Sequence, residues 1–503
     1  MSFASDPTGA RRGCASAEGR ASFRDVGSVL ELWPHALSAL TVLVALAASL
    51  HAMFAKREVR AAIGWVAVIW LTPLLGPLLY WLLGINRIRR RARESRAPAG
   101  LERRPVRDVG TLVQLTGSGA VAEIGRVLDR VGHLPRVEGN RVRPLLEAPR
   151  AYAEMVEAIA EARTSVAMAS YIFEPHGPGA RLVDALADAA RRGVHVRVLV
   201  DDVGARYSRP AITTVLARRG VRAARFMRVW RPRFFPYWNL RNHRKLLVVD
   251  GAVGFTGGLN VREHFDPPDG SAPSARDLHF RLEGPVVAQL SEIFAEDWRF
   301  TTGESLPPEL WRPAYATGAV GRTVARVIPD GPDEDFEKIR WAMLAAVGSA
   351  RRSVQILTPY FLPDEGVTDL LHVAALRGVE VDVMIPERSN LALVDWAVAA
   401  ELEHVLRHDV RVWLTPPPFD HGKLVVVDEE WVLLGSSNWD PRSLRLNFEL
   451  NVECCDAELG AELAAVLLSR RARARLLTRR DLLSRGRARR VRDAAARLLS
   501  PYL

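Results

Sequence analysis

Two long stretches near the N-terminus carry no formal charge. Residues 36–55 (ALSALTVLVALAASLHAMFA) and 61–84 (AAIGWVAVIWLTPLLGPLLYWLLG) are each long enough to cross a bilayer as a helix. The five residues between them, KREVR, suffice only for a turn, so the pattern predicts a transmembrane helical hairpin over 36–84. Pro73, Gly76 and Pro77 should bend or interrupt its second arm, which a membrane tolerates. A signal peptide is the competing reading of the first stretch. The long polar leader (residues 1–35) and the immediate second stretch argue against it. Residues 85–135 read as a basic juxtamembrane linker with a short helix.

From about residue 136 the pattern changes to alternating strands and amphipathic helices, and it does so twice. ARTSVAMASYIFEP (162–175) parallels ARRSVQILTPYFLP (350–363), and AARRGVHVRVLVDD (189–202) parallels AALRGVEVDVMIPE (374–387). Each unit reads strand, helix, strand, and KLLVVD (245–250) and KLVVVD (423–428) supply a further apolar strand. The fold class predicted is α/β: two α/β/α lobes, residues 136–318 and 319–503, related by a pseudo-twofold with one site at their interface.

The net charge of +11 changes the picture only when mapped. Residues 470–497 hold twelve Arg and two Asp, and residues 87–96 hold six Arg and one Glu. The stretch 56–60 adds +2, so the rest of the chain is about −6. The basic charge lies in the tail 470–503 and beside the apolar stretches. A nucleic-acid binder carries its basic stripe on the globular body, so nucleic acid is not the expected partner. Arginines flanking apolar spans favour anionic lipid headgroups. A solvated helix face is the plainer reading of the tail. Arg11, Arg12, Arg20 and Arg24 precede the first stretch and INRIRRRARESR follows the second. By the positive-inside rule both flanks and the large domain should be cytoplasmic, with the positive KREVR turn opposing this. Three cysteines, two of them adjacent, make no disulfide framework and fit a reducing compartment.

One six-point pattern occurs in both halves. His243, Lys245, Asp250, Gly257, Gly258 and Asn260 (within 241–260) match His421, Lys423, Asp428, Gly435, Ser436 and Asn438 (within 419–438). Lys follows His by two residues, Asp by seven and Asn by seventeen. One copy arises by chance at roughly one in ten million positions. Of 69 Lys plus Arg only four are lysine, and two of those four are Lys245 and Lys423. A compact ammonium is therefore wanted at both places. Alternate strand residues share a side, so His and Lys of each copy face the same way. Two imidazoles and two ammonium groups facing each other form a phosphodiester site with a histidine nucleophile and a histidine acid. These six pairs are the candidate site, His243, Lys245, Asp250, His421, Lys423 and Asp428 as its core. Asn260, Asn438, Gly258 and Ser436 are expected to support the phosphate. Each histidine needs an orienting carboxylate; Glu449, 28 residues after His421, and Asp277, 34 after His243, are chosen for that part, each in the half of its own histidine. Asp250 and Asp428 end their strands and are expected to hold the turns and the lobe interface. Neither copy carries Cys or clustered His at ligand spacing, and no Walker-type loop is present, so no metal or nucleotide cofactor is expected. The aromatic stretch of Trp230, Phe234, Phe235, Tyr237 and Trp238 is a candidate lipid-entry surface or a buried lobe contact.

These motifs resemble the phospholipase D superfamily, and within it the bacterial cardiolipin synthases. RNHRKLLVVDGAVGFTGGLN (241–260), TPYFLPDE (358–365), GSSNWDPRS (435–443), NFELN (447–451), WLLGINR (81–87) and RLLSPYL (497–503) carry the likeness. The resemblance implies two phospholipase D-like lobes and a bacterial inner-membrane enzyme with no cofactor. It also implies phosphatidyl transfer between two phosphatidylglycerol molecules, giving cardiolipin and glycerol. By the same likeness His243 is the nucleophile and His421 the acid and base. A hydrolase using water as acceptor shares every one of these residues and stays open.

Overall fold

The computed structural model describes residues 23–56, 59–84, 119–227, 240–267, 269–311, 319–332 and 335–500. The chain divides into two units, residues 1–87 and 88–503.

In the first unit, helix Phe23–Ala55 contains the apolar segment Trp33–Ala55, long enough to cross a bilayer. The expected second crossing over 61–84 is not one helix. Helix Val59–Leu71 is 13 residues, about 20 Å, against a hydrocarbon core of about 30 Å. The chain then turns at Thr72–Leu74 and continues as Leu75–Leu79 and a π-helical turn Tyr80–Gly84. This last segment runs back. Lys56 Nζ donates to the Gly84 carbonyl at 2.6 Å, and His51 Nδ1 lies 2.7 Å from the Tyr80 hydroxyl. Gly76 sits so close to the preceding helix that a Cβ there would fall 2.4 Å from the Val68 carbonyl oxygen. Pro73 breaks the helix, as its missing N–H requires, and Gly76 allows the return.

The second unit is built on a sixteen-stranded sheet and a separate two-stranded ladder among the described residues. In the first lobe the spatial order is 222–226, 195–201, 165–170, 246–249, 253–257, 279–283, 137–145. The second lobe repeats it as 411–415, 380–386, 353–357, 424–427, 431–435, 447–455, 323–330, with 475–477 added at the outer edge. The first three strands of each run are parallel and the rest antiparallel. Strands Val137–Leu145 and Thr323–Asp330 pair antiparallel at the pseudo-twofold and join the two halves.

The period-2 alternation of the motif strands sorts their side chains into layers. Leu246 and Val248, with Leu424 and Val426, face a core shared by both lobes and covered by helices Val286–Thr302 and Ala457–Ala472. Leu247 and Val249 face the outer core of the first lobe, under helices Ala148–Glu161 and Pro178–Arg191. Val425 and Val427 face that of the second, under Lys338–Ser349 and Glu365–Leu376. Helix Ala120–Val131, placed by the sequence in the linker, packs its apolar side into this second-lobe core instead. The arginine tail is folded too. Arg470 pairs with Asp420 at 2.7 Å and Arg471 with Asp382 at 2.7 Å. Helix Arg487–Arg497 docks on helix Ala392–Val405 through Arg490–Glu403, Arg497–Glu401 and Arg492 stacked 4.3 Å from the Trp396 ring. Over the described residues 470–500 the tail is thus not a purely solvated face. The aromatic stretch 230–238 lies outside the described residues.

Candidate active site

Each H-x-K motif stands immediately before a buried strand, and each is anchored to the opposite lobe. The short strand Arg241–Asn242 pairs in parallel with Asn447–Phe448, and Phe419–Asp420 pairs with Ala275–Arg276. His243 N donates to the Phe448 carbonyl at 2.9 Å, and His421 N to the Arg276 carbonyl at 2.8 Å. This register delivers each histidine to the other lobe's carboxylate.

His243 Nδ1 lies 3.0 Å from Glu449, and His421 Nδ1 lies 2.6 Å from Asp277. The two carboxylates chosen from the sequence are therefore the histidine partners, with the pairing crossed between lobes. A carboxylate only accepts, so each Nδ1 carries the hydrogen and each Nε2 keeps its lone pair for chemistry. Burial pushes both imidazoles down to about 4; Lys245 adds to this for His243 and Lys423 for His421, while Glu449 and Asp277 oppose it. Burial alone raises a carboxyl, but His243 overrules it at Glu449 and His421 at Asp277, so both stay below the ordinary carboxylate value.

Lys245 and Lys423 are buried, 2% and 3% exposed, and each donates to the carbonyl of its own histidine. Burial lowers Lys245 to about 7, with Lys423 adding to the effect, and lowers Lys423 to about 8. An empty site thus resists its own positive charge. An anionic phosphodiester placed between the lysines restores it.

Asn260 and Asn438 line the same cavity as the histidines. Asn260 Oδ1 accepts from Ile172 N at 3.3 Å, which leaves its amide nitrogen for a ligand. Gly258 and Ser436 serve the carboxylates rather than a phosphate. A Cβ on Gly258 would fall 2.2 Å from Asp277 Oδ1, and Ser436 Oγ donates to Glu449 at 2.5 Å. Gly257 and Gly435 precede them at φ +148° and +153°, where any Cβ would strike the facing backbone carbonyl.

Asp250 and Asp428 are away from the chemistry. Asp250 accepts from the backbone of Arg163, Thr164 and Ser165 at 2.8–2.9 Å. Asp428 accepts from Arg351, Arg352 and Ser353 at 2.7–2.9 Å. Each caps the start of the neighbouring strand within its own lobe. The expectation that they hold turns agrees with these contacts, and the expectation of a role at the lobe interface does not.

The sequence reading missed a second tier. Arg244, between His243 and Lys245, points the other way and donates from one nitrogen, Nη1, to both carboxylate oxygens of Asp297 at 2.7 and 2.8 Å. It also donates to the Glu449 carbonyl at 2.9 Å. Asp420 and Arg470 do the corresponding work beside His421. Strand alternation was the available signal for Arg244, since 243 and 245 share the face that 244 lacks.

Both histidines face one cavity of about 460 Å³ at the lobe interface. Tyr171 stands edge-on to His243 at 5.1 Å, whereas Phe265, Tyr360 and Phe419 surround His421 at 5.9–6.3 Å. The geometry supplies two oriented imidazoles, two ammonium groups and an entrance of mixed polarity.

Residues 155–298 and 343–470 match the family described as cardiolipin synthase, PLD-like domain, and residues 43–84 match the phospholipase D-nuclease N-terminal family. Cardiolipin synthase A of Pseudomonas putida is 34% identical over 477 residues, covering 93% of this chain and 97% of that protein. The major cardiolipin synthase of Bacillus subtilis (strain 168) is 30% identical over 456 residues, covering 89% and 95%. Among solved structures, phosphatidylserine synthase of Haemophilus influenzae Rd KW20 shares the fold. Its TM-score is 0.58 at 14% identity, over 76% of this chain and 100% of that one. With both repeated lobes and nearly the whole length matched, the chain belongs to the cardiolipin synthase family of the phospholipase D superfamily.

Proposed function

We propose that this protein is a phosphatidyltransferase joining two phosphatidylglycerol molecules into cardiolipin and glycerol. The observation that carries the reading is the pair of crossed histidine–carboxylate contacts facing one cavity. His243 Nε2 attacks phosphorus and forms a P–N bond. The bond from phosphorus to the glycerol oxygen breaks, and His421 gives that oxygen its proton. In the second half His421 takes the proton of an incoming glycerol hydroxyl, which attacks phosphorus and releases His243. Lys245 and Lys423 neutralise the non-bridging oxygens, and the amides of Asn260 and Asn438 donate to them. One phosphodiester replaces another, so no nucleotide is consumed. His421 enters the first half protonated because the bound anion raises a group that burial otherwise holds near 4.

The reading also places the apolar unit in the bacterial inner membrane and the catalytic unit on its cytoplasmic face. What supports the orientation is the arginine run INRIRRRARESR that follows residue 84 in the sequence. We infer a single crossing by Trp33–Ala55, the one helix among the described residues that is long and apolar enough to span a bilayer.

The test is product analysis with the purified full chain and labelled phosphatidylglycerol in mixed micelles. Cardiolipin with glycerol is expected. Phosphatidic acid with glycerol would instead identify a hydrolase. His243→Ala and His421→Ala should each abolish turnover, and near-normal activity in either overturns the two-histidine scheme. An acid-labile, base-stable phosphate on the protein, lost in His243→Ala, is the expected mark of the intermediate.

A further inference from the structure

The pseudo-twofold that relates the two motifs fails on the walls of the cavity. Counting four residues on from Gly258 and Ser436 reaches Arg262 and Asp440; counting seven reaches Phe265 and Ser443. Two residues before the carboxylates Asp277 and Glu449 stand Ala275 and Asn447, which also hold matching places in the two short parallel ladders. All six line the cavity. Basic or apolar side chains of the first lobe thus stand opposite acidic or polar ones of the second at three equivalent pairs.

The second-lobe wall is also unsatisfied. Asn438, Asp440, Ser443 and Asn447 are 1–5% exposed. Asn447 spends its amide nitrogen on Glu449 at 3.1 Å, and Asn438 spends one amide hydrogen on Asp440. These donations fix both amides with oxygen on the far side. Asn438 Oδ1, Asn447 Oδ1 and Ser443 Oγ have no hydrogen-bond partner among the described residues. Buried oxygens of this kind are costly unless a donor arrives. Burial also drives the Asp440 carboxyl up to about 6, and its charge is felt by Lys423 and by Tyr360, which flank His421.

We propose that Asn438, Asp440, Ser443 and Asn447 form a subsite for the free hydroxyls of a glycerol headgroup. It rests on the phosphatidyltransferase reading and adds to it what selects the alcohol. A wall of acceptors takes a polyol, whose hydroxyls donate. Arg262, Phe265 and Ala275 leave the equivalent places of the opposite wall without such acceptors, for the phosphate and the lipid body of the substrate.

The experiment offers the full-length protein labelled phosphatidylglycerol with glycerol and propan-1-ol as competing acceptors. The readout is the ratio of phosphatidylglycerol exchange to phosphatidylpropanol formed. The wild-type chain should favour glycerol by on the order of tenfold or more, since propan-1-ol brings no further hydroxyl to the acceptors. Ser443→Ala should lower that ratio by roughly three- to tenfold. A wild-type ratio near unity overturns the subsite, and so does an unchanged ratio in folded Ser443→Ala. If that variant does not fold, the wild-type ratio decides alone. Failure to make any phosphatidyl product overturns the transferase reading itself, which is a different result from product made without preference.

Discussion

Replacing Glu449 by Gln tests the crossed geometry most directly. Glu449 is fully buried and accepts from His243 Nδ1 at 3.0 Å, from Ser436 Oγ and from Asn447 Nδ2 at 3.1 Å. Glutamine keeps the shape but offers one oxygen and one NH2 to three donors. If the NH2 faces His243, the ring must move its hydrogen to Nε2 and cannot attack. If the oxygen faces His243, the NH2 meets Asn447 or Ser436, and the charge that supports an imidazolium is gone. Losing a charge-assisted bond costs about 1.5–3 kcal/mol, and losing preorganised charge in a dry site costs a similar amount again. Together they raise the barrier by about 4 kcal/mol, roughly a thousandfold in kcat. KM for phosphatidylglycerol should rise by less than kcat falls, because the lysines that meet the phosphate remain in place although they lose the support of the Glu449 charge. Cardiolipin formation under saturating substrate measures the effect, with the melting temperature as a check on folding. A folded Glu449→Gln protein with kcat within tenfold of the wild type would falsify the proposed orientation of His243.

The same logic predicts for Asp277→Asn a loss of similar size, since His421 has its closest contact with Asp277; a loss in only one of the two variants breaks the proposed equivalence. Asp250→Ala should act on stability, by about 2–4 kcal/mol from three stranded backbone donors, and leave the folded fraction active; chemical denaturation alongside specific activity separates the two effects. Inorganic sulfate, which does not itself titrate there, should bind with uptake of protons near pH 7.5, because the anion raises Lys245 and Lys423 from about 7 and about 8. Calorimetry in buffers of different ionisation enthalpy reads the proton count, and release of protons contradicts the electrostatic picture. Both histidines sit near 4 when folded against 6.5 unfolded, so the unfolded chain binds more protons between those values. Their contribution to stability is therefore whole above about pH 6.5 and shrinks as pH falls toward 4; a pH series of melting temperatures, flatter in His421→Asn, is the check. Cysteines placed at residues 30 and 86 should react from opposite sides of the membrane, and labelling of both from one side restores the two-pass hairpin.

Much of this was legible in the chain because local rules and tertiary structure agree. The strands at 246–249 and 424–427 are continuous apolar runs, as strands covered on both faces must be. The motif spacing placed His and Lys together, although 243–245 and 421–423 lie just before the strands 246–249 and 424–427 and not within them; Asp277 and Glu449 were chosen, but each for the histidine of its own half. What the chain could not convey was long-range register. Nothing local says that Asn447 pairs with Arg241 rather than with its own lobe, so the crossing of the carboxylates was invisible. The second apolar stretch misled for a related reason. Composition measures whether 61–84 is apolar, while the reversal after Pro73 depends on Gly76 lying against Val68. Likewise the charge of the tail was read correctly, but its acidic partners Asp420, Asp382, Glu401 and Glu403 lie 50 to 96 residues away.

The crossing also explains why the two motif copies are not identical. In the first lobe the residue after the strained glycine is Gly258, and the carboxylate it faces is the short Asp277, so close that a Cβ would touch it. In the second lobe the same place is Ser436, whose Oγ donates to the longer Glu449 and accepts from Leu450 N at 3.0 Å. Glycine goes with aspartate and serine with glutamate because the extra methylene moves the carboxylate out to where a hydroxyl, rather than empty space, holds it. Each carboxylate is thus fixed by its own lobe and used by the other. Separating the lobes removes an orienting group from both histidines at once. The duplicated fold therefore works as one catalytic body, and its departures from symmetry around His421, Asp440 and Ser443 are where donor and acceptor can differ.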